Sequence, residues 1–409
     1  MQAVALIFIV WALVVVGQTP TGFPPAPGCN QPSVDPVVNF TVPGNPFLAL
    51  PSHDGCWIFV SLVRTADAPA RIALLKRAKG TLSLARELEV ATNATGMALT
   101  RDGAVLIVAA GPGVAFVDTA KFTAGDDGAL MGVWQDDIKG AGRVYVNVTR
   151  DGRHLFVSDE SVQSISVLDI AGVRKTGIAG IKALGRIPTG RAPIALTFSA
   201  DERYLLTTSQ VTPLTGAPAD CEVPNAKPGA PTSRPQGAIL VVDVARAVVE
   251  PAKSVVSTVQ AGCGPVRLVT SPKGDVAYVS ARASNALLAF DTKKLVDDPA
   301  NARIGTVPAG VAPVGVEVID EGTRIVVTSS NRFAGDASDR QLLTVIDTAK
   351  IADGAAAVLG TIPAGAFPRE LRTTADGRTL LLTNFASKSV QMIDVARLPI
   401  DSRAGATHD

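Results

Sequence analysis

The chain has 409 residues, 47% hydrophobic and only 5% aromatic, with 37 Gly and 28 Pro, a balance that suits many short strands joined by tight turns. Its 38 basic and 37 acidic residues leave a net charge of +1, so no one-signed field exists to hold nucleic acid or an anionic membrane. The four cysteines form no CxxC or CxxCH, which excludes the usual zinc-ribbon and c-type haem spacings.

The first element is an apolar run from Ala3 to Val16, too short for a membrane span of roughly 20 residues. Small residues near Gly17 and a Pro- and Gly-rich stretch follow, as expected after a secretory signal. No Lys or Arg lies near Met1, so an uncleaved anchor is the alternative. The expectation is a signal over 1–17, an extension over 18–36, and a product that is secreted, periplasmic or on the cell surface, without a membrane span once the signal is removed. An even number of well-separated cysteines, Cys29, Cys56, Cys221 and Cys263, fits two structural disulfides in that compartment.

From residue 37 to 398 one unit recurs. Aligned on their turn residues, the copies centre on Gly55, Gly103, Gly152, Glu202, Gly274, Gly322 and Gly377. Nine positions earlier stand Pro46, Ala94, Arg143, Pro193, Pro265, Pro313 and Pro368, each opening an apolar strand. Asp-Gly between apolar runs predicts a hairpin. A second strand follows, such as Ala277-Tyr278-Val279, then a third that ends in Asp118, Asp169, Asp243, Asp291, Asp347 or Asp394. Those aspartates read as turn caps. A fourth strand, as in Leu359-Gly-Thr-Ile-Pro363, completes the unit. Four antiparallel strands repeated about every 50 residues predict an all-β, seven-bladed β-propeller. The seventh unit stops after three strands, while Val37 to Pro43 has the fourth-strand pattern and no unit of its own. That segment is expected on the outside of the last blade, closing the ring, with a tail over 399–409.

This topology assigns loops to faces. First-to-second and third-to-fourth turns lie on one face (the turn face). Second-to-third loops and blade-to-blade connections lie on the other (the loop face). Cys29 and Cys56 fall on the turn face, and Cys221 and Cys263 on the loop face in neighbouring blades. The expected pairings are therefore Cys29–Cys56 and Cys221–Cys263, where spacing alone allows three connectivities. The second would tie down the long insertion from Val211 to Gln236.

The second strands Ala277-Tyr278-Val279-Ser280 and Leu382-Thr383-Asn384, with the G-x-x-P and D-G frames, resemble the YVTN-type seven-bladed propeller repeat over about Val37 to Leu398. The resemblance implies the fold and a group of secreted binding, surface-layer and lactonase-like propellers, the last related to 6-phosphogluconolactonase. No motif carries lactonase catalytic residues onto this chain.

Chemistry is expected where first-strand side chains alternate into the central channel. Odd positions after the Pro are largely apolar, as in Val314, Val316 and Val318, and expected between blades. The even set includes Tyr145, Asn147, Arg267, Glu317, Glu370 and Arg372, with its charge gathered in blades five to seven. Two readings stand side by side. The four charges neutralise one another in a wet channel, or Arg267 and Arg372 clamp a carboxylate or phosphate while Glu317 or Glu370 serves as general base and Tyr145 donates to the ligand. The expected partner is a small molecule, glycan or protein at the long-loop face and channel, bound by a monomer with no cofactor and no metal. Asp336 and Asp339 read as local pairing rather than calcium ligands, and His53, His154 and His408 as too scattered for a metal centre. Hydrolysis of a lactone is the alternative function, and a cell-surface structural repeat ranks below it.

Overall fold

Left-handed backbone at fixed intervals sets the repeat. All seven aligned turn residues have positive φ, from +56° at Glu202 to +96° at Gly322, a conformation that favours glycine. At five of the seven a preceding Ser or Thr and Asp close the turn, as where Thr149 Oγ1 donates to Asp151 Oδ1 at 2.6 Å and Arg153 N donates to the same oxygen at 2.9 Å. In a computed structural model that describes residue 29 and residues 31–214, 220–223, 231–331 and 341–402, these turns join seven four-stranded antiparallel sheets. Blade one runs Pro46–Pro51, Trp57–Leu62, Arg71–Ala78 and Thr81–Glu89. The apolar N-terminal run, Asp336, Asp339 and His408 lie outside the described residues. The six aspartates that end third strands accept a backbone N–H two or three residues on, as Asp118 does from Lys121 and Asp394 from Ala396. Each starts a short helical turn or bend instead of a ligand site.

One hydroxyl per blade rivets most blades to the next. Among the described residues, Ser61, Ser158, Thr208, Ser280, Ser330 and Thr383, in or just past their second strands, donate to carbonyls in or just before the following blade's first strand. Their acceptors are Thr95, Ile194, Val266, Val314, Pro368 and Phe47, at 2.6 to 3.1 Å. Several also accept from their own blade, as Ser61, Thr208, Ser280 and Thr383 do from the amides of Leu48, Ala195, Arg267 and Glu370. The reason is a bulge near the start of the first strand, for example between Pro265 and Leu268, that leaves an amide without a ladder partner, and a buried amide must be paired. Blade two has Ala109 at this place. There Gly96 N donates directly to Val144 O at 2.8 Å, an approach only glycine permits, because a Cβ would sit 2.7 Å from that oxygen.

The ring closes as expected. Val37–Thr41 pairs antiparallel with Ser389–Asp394 of blade seven. Arg397 Nη2 and Nη1 hold Ser33 O and Val34 O at 2.7 and 3.0 Å just before that strand. Both disulfides form, Cys29–Cys56 on the turn face and Cys221–Cys263 on the loop face.

Replacing Ser280 with Ala orphans the buried amide of Arg267 and the carbonyl of Val314, so it should cost about 1–3 kcal/mol. Ser280→Thr, which keeps the hydroxyl, should cost less. Denaturant midpoints of the two variants check this, and equal loss would argue that volume matters rather than the hydrogen bond.

Candidate functional site

The bulge decides what reaches the axis. The second residue after each opening Pro forms an inner layer: Leu48, Tyr145, Ala195, Arg267 and Glu370 are all 5% exposed or less. The fourth residue forms a layer nearer the turn face, where Asn147, Thr197, Glu317 and Arg372 are half-buried. The inner layer closes the channel. Small residues make room for it, since a Cβ on Gly96 would lie 2.7 Å from the Tyr145 ring. Phe47, an odd position expected between blades, instead faces the axis. Its ring centroid is 6.3 Å from that of Tyr145 and 5.9 Å from the Arg267 guanidinium carbon. Phe47 has no ladder partner in its bulge, so the strict alternation fails there.

All five expected site residues meet. Arg267 pairs with Glu370 through Nε, at 2.8 Å, and through a second, shorter contact from Nη2 to the same Oε1. The guanidinium carbon lies 4.5 Å from the Tyr145 ring centroid. Tyr145 donates to Glu370 Oε2 at 3.0 Å and accepts from Arg372 Nη2 at 3.0 Å. Glu317 Oε1 accepts from Thr373 N at 2.8 Å, and Oε2 is 4.0 Å from Arg372 Nη1. Two carboxylates in one channel thus have opposite fates. Burial alone would push Glu370 up, but Arg267, with Arg372 and Arg369 behind it, outweighs burial and holds it below the usual carboxylate range. Burial dominates at Glu317 and, against the pull of Arg372 and the Thr373 amide, pushes its carboxyl above that range.

These contacts sort the residues by what they have left to offer. Tyr145, expected to donate to a ligand, gives its one hydroxyl proton to Glu370 here. Arg267 faces Glu370 and is closed off. Arg372 is the guanidinium that reaches open space, in a cavity of about 400 Å³ on the turn face walled by Tyr145, Asn147, Thr373, Ser52 and His53. The cavity thus opens opposite the long loops where a ligand was expected, loops that lie partly outside the described residues. Ser52 and His53 went unrecognised as site residues because each reads as part of a turn. The missed signal was their place, directly after a channel-lining strand and hence at its rim.

No family model matches the chain, and no curated protein matches it. Solved structures do, in fold. A chain of the Kuenenia stuttgartiensis hydrazine synthase structure aligns with TM-score 0.61 and 17% identity, over 89% of this chain and 98% of its own. A chain of a mitotic checkpoint complex aligns with TM-score 0.63 and 14% identity, over 95% and 99%. The Pseudomonas aeruginosa periplasmic gluconolactonase PpgL aligns with TM-score 0.59 and 19% identity, over 81% and 87%. At these identities the likeness is one of architecture.

Glu370→Ala should destabilise the fold by about 3–5 kcal/mol, because it strands a buried Arg267. A paired Arg267→Met/Glu370→Leu change should recover much of that loss. The depressed Glu370 contributes stability above the ordinary carboxylate pKa and loses it as pH falls through its own lower value, whereas Glu317 acts with the opposite sign. Urea titrations across acid pH test both, and a stable single Glu370→Ala variant would contradict the network.

Proposed function

We propose that this propeller is an exported binding protein that takes a compact anionic polar molecule, of the size of a sugar acid, in its turn-face channel cavity. One observation carries the reading. Arg267 and Glu370 neutralise each other in the inner layer, leaving Arg372 as the guanidinium at the cavity wall, 4.0 Å from a Glu317 whose carboxyl is pushed above the usual range by burial. A ligand carboxylate or phosphate would meet Arg372 through charge-assisted hydrogen bonds, in competition with Glu317, and Asn147 and Ser52 line the same space. A volume near 400 Å³ lies in the lower part of the range for small-molecule pockets, which favours a small ligand over a protein loop. Two disulfides fit an oxidising compartment.

A second reading, lactone hydrolysis, has its own support: a carboxyl poised above the usual range 4.0 Å from a guanidinium. Glu317 would act as general base, with Arg372 drawing charge onto the lactone carbonyl. Turnover of gluconolactone above the uncatalysed rate, abolished in Glu317→Gln, would put this reading first.

For binding, calorimetry with gluconate should show affinity about tenfold weaker or worse in Arg372→Ala. Wild-type affinity should rise as pH falls through the raised titration of Glu317, because protonated Glu317 no longer competes for Arg372, and Glu317→Gln should flatten that profile. An unchanged affinity in Arg372→Ala would remove the proposed site.

A further inference from the structure

A second cavity, of about 440 Å³, lies between blades one and two on the same turn face. It shares three wall residues with the channel cavity, Ser52, His53 and Leu99, so the two are adjacent compartments with the His53 turn between them. Their chemistry differs. The channel compartment offers the Arg372 guanidinium. The second has an aromatic wall of Trp57 and Phe59 and a rim of acceptors. Asp54 and Asp102 are both present, but Asp102 is balanced by Arg174. Thr119 and Thr123 donate their hydroxyl protons to backbone carbonyls, so towards a ligand their oxygens can only accept. An aromatic face beside acceptor oxygens suits a ring that carries many hydroxyl donors. A strongly cationic group is less suited, since Arg174 already meets Asp102 and Lys76 Nζ already sits 6.0 Å from the Trp57 ring centroid.

We infer that the two cavities form one bipartite site for an acidic disaccharide, with its carboxylate on Arg372 and its second, neutral sugar ring against Trp57. This inference rests on the channel reading above and extends it from a sugar acid to a sugar acid bearing a further residue. The Cys29–Cys56 disulfide fits the assignment, because it fixes the residue between the turn carrying His53 and the strand carrying Trp57.

The test compares gluconate with lactobionate, which is gluconate carrying one galactose, by calorimetry on the full mature protein. Lactobionate should bind at least tenfold more tightly than gluconate. Trp57→Ala should abolish that advantage and leave gluconate affinity unchanged. Ala120→Trp, a substitution at an exposed position of the short helix on the cavity wall, should do the same by filling the compartment, and it guards against a folding defect in Trp57→Ala. Equal affinities for the two ligands in wild-type protein would overturn the bipartite site and leave the channel site standing. Binding of neither ligand would overturn both.

Discussion

The structure depends on a single hydroxyl repeated around the ring. In six of the seven blades the first strand carries a bulge near its start, which strips an amide of its ladder partner. A Ser or Thr from the second strand satisfies that amide and, in the same stroke, the carbonyl of the next blade. Because the bond crosses between blades, it fixes their spacing as well as their pairing. Apolar packing alone is non-directional and could not choose seven blades over a slightly wider ring with such definition. Thr383 completes the series by reaching Phe47 O in blade one at 3.0 Å, so closure uses the same device as every other junction that has it.

The site is a consequence of that arrangement. With the bulges fixed, inner-layer residues from blades three, five and seven are driven together, and Tyr145 and Arg267 both donate to Glu370. The layer acts as a floor. Two residues further along each first strand the ring is less crowded, and Arg372 stands on the floor with one face towards solvent. Mutual neutralisation and ligand binding were rival readings of the same four charges. The geometry separates the charges by depth: the inner pair is buried in direct contact, while the outer pair, 4.0 Å apart, is half-buried.

Much of this was legible in the chain. The turn residues recur because left-handed backbone tolerates few residues, so Gly55, Gly103 and Gly152 announce the blades. The unpaired pattern at Val37 to Pro43 announced the closing strand, and the face assignment that follows from the topology paired the cysteines correctly. The even positions brought Arg267, Glu317, Glu370, Arg372 and Tyr145 to the axis. Alternation gives direction but not height, so it could not say which arginine would be enclosed. Nor could it foresee Phe47, whose turn towards the axis comes from a bulge with no mark in composition. His53 and Trp57 remained hidden because their cavities are assembled from neighbouring blades, and nothing near them in sequence shows that neighbour.

The claim that ties fold to chemistry is that the closed inner layer directs the ligand to the turn face. A crystal structure of the protein grown with an acidic sugar tests it most directly. The account predicts the carboxylate within hydrogen-bonding distance of Arg372, above an undisturbed Arg267–Glu370 pair. A sugar bound on the loop face, or one that splits that pair to reach Arg267, would contradict it.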